Sequence, residues 1–436
     1  MSRTLSLDAP QALPWRAGLA YGLLGLPLAF AALPLYVVLP HYYTNDLGLP
    51  LATVGALLLL VRLMDAVTDP LLGLLSDRLY RRSVHAVLWM AGVCALLLGG
   101  GMAGLFFPLV QGPTALAAWM VAGLLFTCLA HSLLVIGHQS WGVRLGGDAV
   151  QRSRIVAWRE GPGLLGVIAA SALSVAWGAG AMLAVFGLAL LAGWLLLWQA
   201  PRPSPSSQPL EPRGPGHLPL WQPLTQRPLQ RLLAVFLCSG IASAIPAALM
   251  LFFAQDRLQA TPPQIALFLV LYFVSAALSM PVWLRVVRRL GLERSWLVGM
   301  LLAVACFGWA AGLQGGQVVA FAAICVLSGA ALGADLAVPG ALLALLIARQ
   351  GGQGVQDGAY LGWWNLASKL NLALAAGATL PLLQWLGYVP GSQDALALQR
   401  LAWMYALLPC VLKIMAAWLL YRLLIAPANP TQGIAP

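Results

Sequence analysis

Arg62, Asp65 and Asp69 stand at i, i+3 and i+7 in the run VRLMDAVTDPLLGLLSDR and so share one face of a helix otherwise fit for hydrocarbon. An ionisable residue at mid-membrane depth costs about 2.5–3.5 kcal/mol on insertion scales, so three of them persist only if paired, hydrated or used. Two carboxylates and the Thr68 hydroxyl suit a small hard cation such as Na⁺ or Li⁺. Pro70 adds to that set, because its ring removes a backbone donor and pushes the Ala66 carbonyl outward as a further ligand. A proton is the second possibility, since two acids one turn apart resist joint ionisation. A third is an Arg62–aspartate cluster that only fixes packing. Lys369 belongs to the same question. It and Lys413 are the chain's two lysines, both in apolar runs, and a buried ammonium needs a carboxylate. Asp65 or Asp69 across the bundle would serve Lys369 as partner, whereas Lys413 reads as a lysine snorkelling to an interface.

The elements that position these groups are membrane spans. Of 436 residues, 61% are hydrophobic and 8% charged. Twelve apolar windows about 20 residues or more in length, from Trp15–Tyr43 to Leu401–Leu424, match a hydrocarbon core roughly 30 Å thick. The runs are too long and continuous for barrel strands, so an all-α integral membrane protein of twelve transmembrane helices is expected. No cleavable signal is expected before Trp15, and the first helix stays in the protein. Arg78, Arg81, Arg82, Arg285, Arg288, Arg289 and most other arginines fall on the side of the termini, against Arg257 and Arg400 opposite. Both termini are therefore expected in the cytoplasm and the chain in the cell (inner) membrane as a multi-pass protein. The net charge of +11 follows from this topology and from anionic headgroups, and gives no argument for nucleic acid.

One long polar stretch, rich in proline and serine, separates a first unit (1–200) from a second (229–436) as a linker over 201–228. An internal repeat supports the division: Leu33-Pro34 and Pro50 recur as Ile245-Pro246 and Pro262. Two pseudo-symmetric six-helix bundles around a central cavity, the architecture of many secondary transporters, are expected.

The pattern Arg62, Asp65-Ala66, Asp69-Pro70, Gly73, Ser76-Asp77-Arg78 resembles the second-helix signature of the glycoside-pentoside-hexuronide:cation symporters of the major facilitator superfamily. The resemblance extends to Tyr42-Tyr43-Thr44, Gln151-Arg152-Ser153-Arg154, Trp158-Arg159, Ser368-Lys369 and Gly387-Tyr388-Val389-Pro390. It implies that Asp65 and Asp69 hold the coupling cation, that Arg159 and Trp141 belong to a sugar site, and that Lys369 lies between the two. It also implies that Asp77, Arg78, Arg81 and Arg82 form a loop latch between the halves. In this reading, cation binding at the aspartates releases Lys369 and Arg62 from them and raises affinity for solute.

Departures concern the solute. Carboxylates that grip sugar hydroxyls in the family become Ala29 and Gly137, an acidic position after the tenth helix becomes Leu345, and Asp335 is that helix's remaining carboxylate. His138, Gln139, Asn365 and Trp364 are further candidates for solute contact, with His131 on the same face as His138. A sugar or glycoside is the expected cargo. An amphipathic lipid-like molecule such as a lysophospholipid is the alternative, because animal relatives of the family move such cargo. The six cysteines lie in apolar spans without CxxC spacing, and no hydrolase or phosphate-loop pattern stands in context. No enzyme activity and no cofactor are expected beyond a coupling Na⁺, H⁺ or Li⁺. The expected partners are a small solute, the cation and the bilayer, with the chain as a monomer.

Overall fold

The structure, a computed structural model, describes residues 13–176, 178–203, 220–350 and 353–428. Among these there is no strand and there are twelve long helical segments. They are α1 (Trp15–Asp46), α2 (Leu51–Arg82), α3 (Val84–Phe106), α4 (Pro113–Arg144), α5 (Ala149–Ala176), α6 (Gly178–Leu197), α7 (Arg227–Arg257), α8 (Pro262–Leu290), α9 (Leu292–Gly312), α10 (Val318–Arg349), α11 (Asp357–Trp385) and α12 (Ala395–Ile425). Ten are long and apolar enough to cross a membrane; α2 and α5 are as long, 32 and 28 residues, but carry the charges. Of the expected linker, residues 204–219 lie outside the described residues.

Local chemistry explains many of the boundaries. Thr261 caps α8 through a reciprocal pair with Gln264, and Pro262 sits at the first position, where its missing N–H costs nothing. Ser83 turns α2 into α3 by accepting from the Ala86 amide. In α1, Pro27, Pro34 and Pro40 interrupt the ladder, which breaks after Gly22 and widens into π-helical turns over Pro34–Val38 and Tyr42–Asp46. By contrast α2 runs unbroken through Pro70.

On α2 the usual polarity is inverted, as a bilayer requires. Asp65, Asp69, Ser76 and Asp77 are buried, whereas Leu60, Leu63, Val67 and Leu71 are exposed on the face that lipid would cover. One apolar cluster, which includes Tyr21, Phe30, Phe106 and Phe186, lies wholly within α1–α6 and the residues just after them. A second joins Ile136, Val143 and Val156 to Val338, Leu343 and Tyr360 and so ties the halves together. A third, with Ile245, Phe253, Phe268, Phe321 and Tyr405, belongs to the C-terminal half alone. The joined cluster lies on the side of the termini, and the separate ones reach the opposite side.

Backbone contact makes that closure tight. A Cβ on Gly73 would stand 2.1 Å from the Gly358 carbonyl oxygen, and one on Gly362 would stand 2.6 Å from that of Asp69. Only glycine lets α2 and α11 cross this closely.

Candidate functional site

Where α2 meets α11, the Lys369 ammonium lies 2.7 Å from Asp65 Oδ2 and 2.7 Å from Asp69 Oδ1. It also donates to the Ser132 hydroxyl of α4 at 2.8 Å, and Ser132 donates on to Asp65 Oδ1 at 2.8 Å. Asp69 is fully buried, and its Oδ2 has no hydrogen-bond partner among the described residues. Two ionised carboxylates against one ammonium leave one negative charge uncompensated, in surroundings where an unpaired charge is costly. The arrangement therefore fits one additional monovalent cation or proton, with a carboxylate oxygen to receive it. Among the described residues, no group of three or more His, Cys, Asp or Glu forms a metal site, so hydroxyls and carbonyls would have to complete any shell. The Ala66 carbonyl is not among the groups facing Lys369; it is the Asp65 carbonyl that approaches the ammonium, at 3.4 Å.

The other α2 candidates are engaged differently. Arg62 does not pair with the aspartates: its guanidinium lies over the Tyr36 ring, 4.0 Å from the centroid, which corrects the alternative of an Arg62–aspartate cluster and the pairing from which a cation was to release Arg62. Thr68 donates to its own helix at the Asp65 carbonyl, 2.9 Å away.

About two turns toward the termini, Asp77 accepts from the Gly358 and Ala359 amides at 2.8 and 2.9 Å, capping the first turn of α11 from the other half. Arg144 of α4 lies 2.8 Å from Asp357 and 3.4 Å from Asp77, and its guanidinium stacks on Tyr80. Arg152 reaches across to the Ala344 carbonyl and to Gln353. Asp77, the acid of the motif, thus makes contacts between the halves, whereas Arg78, Arg81 and Arg82 are exposed and the arginines engaged there are Arg144 and Arg152. Charged residues at the ends of neighbouring spans could have pointed to Arg144 and Asp357. Ser132, one hydroxyl in an apolar helix, gave no signal.

The candidate solute residues divide. Arg159, Gln139 and Trp364 line one small closed cavity of about 20 Å³ with Tyr21. There Arg159 pairs with Glu160 at 2.6 Å, and Trp364 stacks on Phe236 at 3.7 Å between centroids. Gln139 accepts from Asn365 across the halves at 2.8 Å. Trp141 does not face a central cavity: it is fully buried in the N-terminal half, donating to the Pro201 carbonyl. His138 and His131 hydrogen-bond the carbonyls of Tyr21 and Leu28 and are packing residues here, which corrects the solute assignment of His138. Each correction has one cause: a polar ring inside a bundle binds the nearest free carbonyl in preference to a distant cavity.

Lys413 is corrected as well. It does not snorkel but is buried, 2.6 Å from Asp335, and donates at 2.8 Å to both Ser239 and Ser243. Trp296 donates to the other Asp335 oxygen at 2.9 Å.

A helical bundle with buried ion clusters between two halves and a closure on one side defines a multi-pass membrane transporter of the major facilitator type. The profile of the family described as MFS/sugar transport protein matches residues 18–426, and the chain belongs to that family. An uncharacterized symporter of Synechocystis is 36% identical over 92 residues, a match covering 21% of this chain and 16% of that protein. A Salmonella typhimurium protein named "Putative 2,3-dihydroxypropane-1-sulfonate exporter" is 26% identical across 95% of this chain and 93% of its own length. Among solved structures, a bacterial homologue of the iron transporter ferroportin in an outward-facing state shares the fold. Its TM-score is 0.69 at 15% identity, covering 94% of this chain and 99% of that one.

Proposed function

We propose that the chain is a cation-coupled symporter of a small neutral solute, a sugar or glycoside, working by alternating access with both termini in the cytoplasm. The observation that carries the coupling is the excess negative charge at Asp65, Asp69 and Lys369, with the buried, unbonded Asp69 Oδ2. A Na⁺ or a proton entering there restores neutrality and loosens the hold of α2 on Lys369 of α11. That link must part for the termini side to open, so occupancy of the site and the state of the carrier are coupled reciprocally. With the termini in the cytoplasm, the closure at Asp77, Arg144, Asp357 and Arg152 makes the present state outward-facing. The chain would work as a monomer in the cell (inner) membrane. The two-unit division at 201–228 supplies the bodies that rock.

Solute neutrality is supported by the other charges. Arg159 is matched by Glu160, and Lys413 by Asp335, so neither is spare for an anion. The sulfonate in the name of the Salmonella relative would be the competing anionic cargo, moved outward. A second reading, an amphipathic lipid-like cargo, is favoured by the mostly apolar walls of the large cavity in the C-terminal half.

The test is uptake into proteoliposomes under an imposed Na⁺ or pH gradient. Wild type is expected to accumulate a labelled sugar under one of these gradients, while Asp65→Asn and Asp69→Asn insert normally and accumulate none. Full accumulation by both variants would remove the cation assignment.

A further inference from the structure

A cavity of about 360 Å³ lies away from the solute candidates read from sequence. Its volume falls in the roughly 300–1,000 Å³ range of small-molecule sites. Helices α7–α10 and α12 form most of it, with Leu33 of α1 and Val167 of α5 completing the wall. Phe268, Phe273, Phe307 and Phe321 make it apolar and aromatic; Asp335, Lys413, Ser243 and Tyr272 make one part of it polar. Tyr272 adds a hydroxyl to that lining. Asp335 keeps 18% of its side chain exposed, against 7% for Lys413, so the acid presents the pair to the cavity.

The charge on this wall sums to zero. A cation bound at Asp335 would face the Lys413 ammonium, and an anion bound at Lys413 would face the Asp335 carboxylate. Either leaves an uncompensated charge at low dielectric. A hydroxyl group escapes both penalties, because it is uncharged and can donate to a remaining lone pair of the Asp335 carboxylate without displacing Ser239 and Ser243 from Lys413. Aromatic walls beyond the pair then select for an apolar body.

We propose that this cavity binds a net-neutral amphipathic solute, its hydroxyl-bearing end at Asp335, Lys413 and Tyr272 and its apolar body against the phenylalanine wall. The inference deepens the transporter reading by moving the solute into the C-terminal half and by bringing together the sugar and amphipathic alternatives. Its selectivity is set by two opposite charges that cancel.

The experiment is calorimetric titration of the purified full chain in detergent with three ligands sharing a phenyl group: phenyl β-glucoside (neutral), phenyl β-glucuronide (anionic) and phenyltrimethylammonium (cationic). Wild type should bind the glucoside at least about tenfold more tightly than either charged ligand. Asp335→Asn should move the preference to the glucuronide and Lys413→Met to the ammonium. The double variant Asp335→Asn/Lys413→Met should return it to the neutral ligand. Wild-type preference for a charged ligand, an unchanged order in the two single variants, or no binding of any ligand up to its solubility limit overturns the proposal. If the single variants fail to fold, Tyr272→Phe carries the test: it should weaken the glucoside about five- to tenfold and leave the charged ligands as they were, and an unchanged glucoside affinity overturns the proposal. Na⁺ titration of the same samples separates the two readings. A Na⁺ response without the predicted ligand order sinks this inference alone; the ligand order without a Na⁺ or pH response supports it and sinks the cation coupling.

Discussion

The two lysines of this chain sit in centres built from the same parts and left with different charges. Lys369 meets two aspartates and a serine drawn from α2 and α4, while its own helix, α11, belongs to the other half. Lys413 meets one aspartate and two serines, all from α7, α10 and α12 within the C-terminal half. At the first centre an acid is in excess, and one of its oxygens is buried without a bond. At the second both Asp335 oxygens are engaged, by Lys413 and by Trp296. The difference teaches that carboxylate count and placement, not the presence of a buried lysine, separate a site that can accept a cation from one that stays neutral. Under the proposed alternating access, a centre that bridges the halves would be remade in each cycle, whereas one inside a half would persist.

The largest effect expected from this comparison is on stability at the self-contained centre. Lys413→Met strands a partly buried carboxylate and should cost about 3–5 kcal/mol, with most of it recovered in Asp335→Asn/Lys413→Met. Thermal unfolding in detergent measures both, and a single variant as stable as wild type would mean that the pair is not electrostatically coupled. Lys369→Met should behave differently, because the vacated centre can fill with Na⁺. Its unfolding should become strongly Na⁺-dependent, gaining about 2.7 kcal/mol at a Na⁺ concentration a hundredfold above the dissociation constant. An equal Na⁺ effect on Lys369→Met and Lys413→Met would erase the distinction between the centres.

A smaller effect tests the bridge itself. Gly73→Ala places a methyl group against the Gly358 carbonyl and should weaken closure of the termini side by about 1–3 kcal/mol. Spin labels at the exposed positions 82 and 349 should then show a longer distance population; an unaltered distribution would mean that α2 and α11 need no such approach. The smallest effect belongs to Thr68→Val. Since that hydroxyl bonds its own helix, Na⁺ affinity should change by less than about threefold, an order that follows from a modest local hydrogen bond. A large loss in a Na⁺ titration would return Thr68 to the cation shell.

Much of the Asp65–Asp69–Lys369 cluster was legible because ionisable residues stand out in apolar spans. Asp65, Asp69 and Lys369 are rare types in rare places, and insertion cost alone says that they must meet something. The latch was half legible. Asp77 was marked by its motif, but its partners come from α4 and α11, and sequence proximity favoured Arg78, Arg81 and Arg82, which are exposed. Solute residues were the least legible: Trp141 and His138 have the right chemistry but spend it on the carbonyls of Pro201 and Tyr21.

Chain-local chemistry was enough for the twelve spans, their helical character and the inward face of α2, since hydrocarbon imposes the same demands on every segment whatever its neighbours. Which buried charge meets which is not a property of any segment. Lys369 and Lys413 look alike in sequence. Whether each finds two acids or one, and whether its contacts cross between the halves, depends on helices up to 304 residues apart in the chain. Only their packing sets distances of 2.6–2.7 Å and, with them, the charge each centre is left holding.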